Sequence, residues 1–471
     1  MASFFDTLCA SKVTSGTNSE ENCHLDGASM PNLYDEAREM LGAVLIINIF
    51  ADLRQIARET SLPIDNFNPP LSSNEMLSLI NSNKAEICRR SCKNADLEEK
   101  LLVLKRLKWH TPSSSGFIKM VFGTKITSSH HLIRFEDVNA GKQRPHAILV
   151  NESQQSITVV FCGCVAQEDF KSDTGSDLVK VPNPVLNSSL KIPTIKLHTG
   201  FSEYLLKKNT SEEKCRLDCI LQDLKDLLKK YPGYRVYFTG HSLGAALSTL
   251  CGFYAATHND IIAVSGPIQI FSIASPLIGN RDFLLAFQCL EREGRLQHLR
   301  ICKEEDMITL LPFETPKLRS PISLKGKCNL YMICGMQLLL TDKSETDSPY
   351  PYKLYFPQDQ NGCEDYAEEV KTQFEGTTSS FKLLAANDFK KLMEHHSYKE
   401  YEMRLDFCKD ALSHFTIDDL YHDKDITGNI MDKDYEPTTQ SFGKIGKRLI
   451  QRSTKLMQKA VKDVARKHDQ K

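Results

Sequence analysis

The segment Gly240-His241-Ser242-Leu243-Gly244 lies between an apolar, β-rich run at 234–239 and a run of small residues at 245–253. A strand, a sharp turn and a helix in this order form the context in which G-x-S-x-G makes a nucleophile elbow. The pentapeptide alone occurs by chance in many proteins, so the flanking pattern carries the prediction. Strand and helix pass closest at the two glycine positions, where a Cβ atom has no room. The sequence therefore predicts Ser242 as a nucleophile.

Composition describes an ordinary globular protein. Of 471 residues, 25% are charged and 41% are hydrophobic, which suits one large domain with extensions or two to three domains. Fifteen cysteines, an odd number, favour free thiols in a reducing compartment. The start lacks the features of a signal peptide, and the most apolar stretch, 40–53, is short and contains Asn48 and Asp52. We therefore predict a cytoplasmic protein without a transmembrane helix, with peripheral membrane attachment as an open alternative.

The first part of the chain predicts an arm followed by helices. Residues 1–30 are polar and aperiodic, which favours disorder. Apolar residues recur at helical spacing over 32–59 with Asn32 as cap, and 73–108 predicts two more helices, the first opened by Ser73 or Asn74. Residues 31–125 are thus expected to be an all-helical extension that packs on or shields the main domain.

From 126 to 410 the pattern changes to alternating strands and helices. Strands are predicted at 131–135, 146–150, 156–162, 234–239, 267–274 and 297–302, and helices at 211–230, 245–253 and 281–290. Such alternation favours an α/β fold with a central, mostly parallel sheet and helices on both faces. Catalytic groups in such sheets collect at the carboxyl ends of the strands.

That rule locates partners for Ser242. The strand at 297–302 leads into a loop that carries Asp306, and His396 follows further downstream. A serine hydroxyl needs an imidazole to accept its proton, and the imidazole needs a carboxylate to fix its tautomer. The order serine, acid, histidine is the one used by α/β-hydrolases. Glu304 or Glu305 for the acid, and His395 for the base, remain alternatives.

Seven blocks of sequence occur in the order seen in one family. They are 157–164, 169–173, 198–201, 237–247, 275–280, 306–312 and 396–401. Over about residues 132–405, the chain resembles the class 3, fungal-type lipases of the α/β-hydrolase superfamily, which also include plant acyl hydrolases. The resemblance implies hydrolysis of acyl esters of acylglycerols or related glycerolipids through an acyl-enzyme, with Ser242, Asp306 and His396 as the triad. It implies no metal or organic cofactor.

The resemblance also implies an oxyanion hole, built from the backbone N–H groups of Leu243 and Cys164. At Cys164 the family normally has Ser or Thr, and at Cys162 usually Arg, and a thiol is a weak donor. Slow turnover, an unusual substrate, a catalytically silent binding module and a soluble small-ester esterase therefore stay open. A metal site at the two cysteines is the rival interpretation of these thiols. The stretch after Cys164, through 184, corresponds to the family lid but is polar, which argues against interfacial activation by the lid alone.

The end of the chain, 411–471, is predicted to be an extension with a basic amphipathic helix. Residues 443–471 contain ten Lys or Arg and two Asp, with apolar and basic residues on opposite sides of a helix. Such a helix can bind an anionic membrane surface. Docking onto the protein itself and calmodulin-type binding are alternatives, and nucleic acid is not expected as a partner. Residues 423–434 partly fit a calcium loop, although an ordinary turn suits them better.

Overall fold

A computed structural model gives the fold. The structure describes residues 31–60, 67–90, 100–104, 106–107, 130–137, 145–163, 177–185, 190–208, 214–312, 331–341, 352–356 and 393–423. All of these belong to one compact unit that begins at Pro31. The predicted arm at 1–30 and the predicted terminal helix lie outside the described residues, and the domain boundaries within the chain stay predictions.

Thirteen strands occur within these ranges. They are β1 Leu71–Ser72, β2 His130–Glu136, β3 His146–Asn151, β4 Ser156–Phe161, β5 Leu178–Pro182, β6 Thr194–His198, β7 Arg235–His241, β8 Ile268–Ile273, β9 Gly279–Asn280, β10 Leu296–Lys303, β11 Tyr331–Met332, β12 Met336–Leu340 and β13 Tyr352–Tyr355. Nine form a sheet in the order β1-β2-β3-β4-β7-β8-β10-β12-β13. Its centre, from β4 to β12, is parallel, and its edges are antiparallel. The predicted mostly parallel centre of the sheet is confirmed.

Eleven helices with both ends described accompany the strands. They are α1 Leu33–Glu59, α2 Ser73–Ser82, α3 Lys84–Arg90, α4 Thr199–Leu206, α5 Arg216–Lys230, α6 Leu243–Ala255, α7 Asn259–Ser265, α8 Arg281–Arg292, α9 Tyr398–Phe407, α10 Lys409–Leu412 and α11 Ile417–His422. The helices cover both faces of the sheet, as the alternating pattern predicts.

Each face of the sheet has its own apolar core. Side chains alternate along β4, so Ile157 and Val159 belong to one core and Val160 to the other. The first core is completed by α4 to α8 and the second by α1, α9 and α11. A helix from the N-terminal extension therefore shares a core with the strands that carry the site.

Helix α1 is longer than its most apolar stretch. Asn32 caps it, accepting a hydrogen bond from the backbone of Asp35, as predicted. Its length and composition are sufficient to cross a membrane, but 83% of its most apolar window is buried inside the protein. The helix is therefore longer than the stretch 40–53, which the sequence analysis takes as too short to cross a membrane. Burial against the sheet accounts for its apolar character.

Two predictions for the extension are wrong. It is not all-helical, because β1 pairs with β2 and extends the main sheet, with Leu71 opposite Leu132. Helix α2 is capped by Ser72 rather than Ser73 or Asn74, because Ser72 and Glu75 form a reciprocal capping box. Part of the stretch corresponding to the family lid also has regular structure, since β5 pairs with β6 in a second sheet with β9 and β11. These short strands were not predicted.

Candidate active site

Ser242 occupies a strained turn between β7 and α6. Its backbone has φ 59° and ψ −128°, and its N–H donates to the carbonyl of Ile273 in the neighbouring strand β8 at 2.9 Å. A positive φ is costly for a residue with a side chain and is tolerated where surrounding structure imposes it. The turn projects Ser242 from the carboxyl end of a central strand, as the elbow pattern predicts.

The two glycines of the elbow have a steric cause. A Cβ atom at Gly240 would lie 2.3 Å from the carbonyl oxygen of Gly244. A Cβ atom at Gly244 would lie 2.3 Å from the carbonyl oxygen of Phe161 at the end of β4. Both contacts involve backbone atoms, which cannot move aside as a flexible side chain can, so only glycine fits at either position.

Asp306 follows β10 and receives three hydrogen bonds. Its Oδ1 accepts the backbone N–H of Ile308 at 3.1 Å, which caps a short 3₁₀ turn at Met307–Leu310. Its Oδ2 accepts both the Nδ1–H of His396 and the hydroxyl of Tyr401, each at 2.7 Å. The predicted acid and the predicted base are thus brought together across 90 residues of chain.

His396 precedes α9, whose N-cap is Ser397. With Nδ1 directed to Asp306, the neutral ring carries its lone pair on Nε2. This Nε2 atom is buried and has no hydrogen-bond partner in the described part of the structure. It is the group that a proton from a nearby hydroxyl would reach.

The ring of His241, the residue before Ser242, joins the elbow to His396. The His241 and His396 ring centroids are 4.6 Å apart. Burial, with a smaller contribution from His396, holds the pKa of His241 well below its usual value, so His241 stays neutral beside the base. Among the described residues no hydrogen bond joins Ser242 to His396, so the structure brings the acid and base into contact and places the serine in the adjoining turn.

Tyr401 is a residue of the site for which sequence reasoning assigned no role. Its hydroxyl donates to Asp306 and accepts the backbone N–H of Lys303 at 3.2 Å. Burial raises the pKa of Tyr401 well above its ordinary value, which keeps the hydroxyl protonated and able to donate. The only sequence signal was its position at the end of the block 396–401.

The alternative acid and base have other partners. Lys303 is fully buried and its Nζ lies 2.8 Å from Nδ1 of His395, 3.3 Å from Glu305 and 3.0 Å from Glu400. Burial, and secondarily Lys303, lowers the pKa of His395. Glu305 and His395 therefore belong to an ion cluster beside the site, while Asp306 and His396 pair with each other.

The two predicted oxyanion groups differ in what the structure describes. Leu243 is the first residue of α6, where a backbone N–H has no acceptor within the helix. Cys164 lies outside the described residues, although Gly163 before it is described.

Within the described ranges no three His, Cys, Asp or Glu side chains are grouped as metal ligands. Of the weak calcium candidate only Asp423 is described.

Residues 158–315, which include Ser242 and Asp306, match the family model described as Lipase (class 3). Over these residues the chain is similar to the class 3 lipases. The resemblance read from the sequence blocks is therefore confirmed. The matched residues include the elbow after β7 and the loop after β10.

Two curated relatives of the chain come from Arabidopsis thaliana. Galactolipase DONGLE, chloroplastic, is 28% identical over 203 residues, which are 40% of this chain and 41% of the relative. Phospholipase A1-Ialpha2, chloroplastic, is 28% identical over 203 residues, 40% of each chain. The chain thus spans about two fifths of the length of these curated relatives. A triacylglycerol lipase structure from Penicillium expansum has 16% identity and a TM-score of 0.34, covering 48% of this chain and 74% of that one.

Proposed function

We propose that this protein is a serine carboxylic-ester hydrolase of the class 3 lipase family, which cleaves acyl esters of glycerolipids through an acyl-enzyme intermediate. The observation that carries the proposal is the hydrogen bond of 2.7 Å between Asp306 and Nδ1 of His396, with Nε2 of His396 buried and unpartnered among the described residues. This arrangement supplies an oriented base beside the elbow that holds Ser242.

In the proposed first half-reaction, Oγ of Ser242 attacks the ester carbonyl carbon while Nε2 of His396 takes the hydroxyl proton. Asp306 stabilises the imidazolium that forms. The negative oxygen of the tetrahedral intermediate is met by the backbone N–H groups of Leu243 and Cys164. Collapse breaks the bond to the alcohol oxygen, which takes the proton from His396 and leaves an acyl-Ser242 ester.

In the second half-reaction, a water molecule gives its proton to His396 and attacks the acyl carbon. Collapse releases the fatty acid and returns the proton to Ser242. The missing hydrogen bond between Ser242 and His396 is compatible with this sequence, because catalytic hydrogen bonds in unliganded enzymes often tighten only when substrate binds.

For the substrate we infer polar glycerolipids before triacylglycerols. The two relatives named above are called a galactolipase and a phospholipase A1. Profiling the protein on phosphatidylcholine, monogalactosyldiacylglycerol, diacylglycerol and triacylglycerol tests the order. Faster hydrolysis of triacylglycerol than of either polar lipid would contradict it.

Labelling with a fluorophosphonate probe tests the serine chemistry, because the probe reacts only with an activated serine. We expect wild type to be labelled and Ser242→Ala to be unlabelled, with a fall in ester hydrolysis of roughly 10⁴-fold or more. Wild type that stays unlabelled, or a Ser242→Ala variant labelled equally, would instead support a catalytically silent binding module. Equal rates on monomeric and micellar esters would favour a soluble small-ester esterase.

Membrane attachment through 443–471 and a cytoplasmic location remain proposals. The basic tail would bind anionic lipid by charge and by insertion of its apolar side. Deletion from Gly443 should abolish co-sedimentation with phosphatidylserine vesicles and leave hydrolysis of a soluble ester unchanged. Undiminished co-sedimentation would exclude the tail as the anchor.

A further inference from the structure

Asn48 is a buried polar residue in the middle of the apolar helix α1. Its neighbours in sequence, from Val44 to Phe50, are otherwise all buried hydrophobic residues. An amide group in such a position is costly unless both of its ends are hydrogen-bonded. Asn48 therefore needs partners, and the structure shows two.

The side chain of Asn48 bridges its own helix and the sheet. Its Nδ2 donates to the carbonyl of Val44 at 2.7 Å. Its Oδ1 accepts the backbone N–H of Gly163 at 3.3 Å. Only this orientation of the amide satisfies both partners, since one is an acceptor and the other a donor.

Gly163 lies directly against the elbow. A Cβ atom at Gly163 would be 2.7 Å from the carbonyl oxygen of His241 and 3.7 Å from Cβ of Ser242. The position of Gly163 therefore bounds the space that is available to the serine turn.

We propose that Asn48 is a positioning residue for the serine turn. By accepting the N–H of Gly163 it holds the end of β4 against this turn, so that Ser242 and the backbone N–H of Leu243 are in place before substrate arrives. A donor acts on the transition state only when it is held in place in advance. This inference rests on the proposed function, and it gives the N-terminal extension a part in catalysis.

A second polar contact of α1 provides a matched control. Glu36 accepts the hydroxyl hydrogen of Tyr237 at 2.7 Å on the same face of the sheet. It lies roughly 18 Å from Asn48 along the helix axis, at the far end from Gly163. Glu36→Gln alters a buried polar contact of α1, as Asn48→Leu does, but it leaves the contact with Gly163 in place.

The test compares Asn48→Leu, Asn48→Asp and Glu36→Gln with wild type, each normalised to active sites titrated by the fluorophosphonate probe. Leucine keeps the branching at Cγ, although its side chain is larger, and removes the acceptor. We expect a loss of roughly 10-fold to 100-fold in kcat per site with KM changed little, and a similar loss of affinity for an alkyl boronic acid, whose adduct has a tetrahedral anion. Asn48→Asp, which keeps an acceptor oxygen, should recover part of kcat, and Glu36→Gln should keep it within about twofold.

Hydrogen exchange provides a readout that does not depend on turnover. The N–H of Gly163 should exchange faster in Asn48→Leu than in wild type and at the wild-type rate in Glu36→Gln. Unchanged exchange, or a kcat per site equal to wild type, overturns the inference while leaving the proposed function intact. If the wild type neither reacts with the probe nor hydrolyses esters, both this inference and the proposed function fail. If Asn48→Leu does not accumulate as folded protein, Asn48→Ala repeats the removal with a smaller side chain and the same expectations.

Discussion

Three buried carboxyl groups in the described ranges accept a hydrogen bond from a buried tyrosine, yet their surroundings differ. The pairs are Tyr401 with Asp306, Tyr421 with Glu291 and Tyr237 with Glu36. In the site, two more donors meet Asp306, one of them His396. Away from the site, the second oxygen of each glutamate has no hydrogen-bond partner in the described part of the chain. The same pair of residue types is therefore used in two ways.

The difference shows in how the glutamates titrate. Burial raises the pKa of Glu291 to about 8 and that of Glu36 to about 7, against the smaller opposing effect of the tyrosine hydrogen bond. One donor does not offset the loss of water around a carboxylate. Three hydrogen-bond donors, which contact both carboxylate oxygens, fix the orientation of Asp306. A fixed orientation suits its proposed role, which is to orient His396. The number of hydrogen-bond donors, rather than the extent of burial, distinguishes Asp306 from the two glutamates.

The largest expected effect on kcat comes from replacing a carboxyl group with an amide in the site, compared with the same replacement away from it. Asp306→Asn should lower kcat by roughly 10⁴-fold, because an amide can hold His396 in the wrong tautomer. Glu291→Gln should change kcat by less than about twofold, since a neutral amide resembles the protonated acid. Ester hydrolysis per titrated site measures both. Similar losses in the two variants would remove the distinction between catalytic and structural carboxyls.

Removing the tyrosine hydroxyls should separate stability from rate. Tyr401→Phe and Tyr421→Phe each leave a buried acceptor with one donor fewer and should lower the free energy of unfolding by about 1–3 kcal/mol. Only Tyr401→Phe should also reduce kcat, by roughly tenfold, because only that hydroxyl touches Asp306. Denaturant unfolding and steady-state kinetics check the pair. A fall in kcat for Tyr421→Phe equal to that for Tyr401→Phe would contradict the assignment.

The smallest effect concerns pH. The ordinary pKa of a glutamate side chain is 4.5, and burial raises the pKa of both Glu36 and Glu291 in the folded protein. Between these values the folded state binds more protons than the unfolded state, so stability falls as pH rises. Their contribution is complete below about pH 4.5 and is lost towards about pH 7 for Glu36 and about pH 8 for Glu291.

Unfolding in denaturant at pH 5 and pH 8 measures this contribution. Glu291→Gln should make the decline with pH shallower, because the amide does not titrate. Two results would contradict the raised pKa values of these glutamates. One is a free energy of unfolding that falls equally with pH in Glu291→Gln and in wild type. The other is a contribution of the glutamates to stability that rises from pH 5 to pH 8.

The sequence predicted the elements whose signals are local. The flanks of Ser242 predicted β7 and α6, and both are present within two residues of the predicted bounds. The family order of blocks led to Asp306 and His396, and the structure joins them. Their catalytic roles remain proposals.

Two other contacts between distant segments could not be predicted from the sequence. Tyr401 reaches Asp306 across 95 residues, and Asn48 reaches Gly163 across 115. The spacing of apolar residues predicted that α1 is a helix, but it contains no information about which strand lies opposite Asn48. Strands β5, β6, β9 and β11 are short or half-exposed, so their alternation is weak beside loop-like composition.

The position of α1 in the chain has a consequence for synthesis. Its buried face packs against β4, β7 and β8 of the sheet, and β8 ends at Ile273. A ribosome adding 5–20 residues per second needs roughly 11–43 s to advance from the end of α1 to the end of that strand. During that interval the apolar face of a helix of 27 residues lacks the strands that cover it in the folded protein. We expect this face to bind chaperones or targeting factors at the ribosomal exit tunnel.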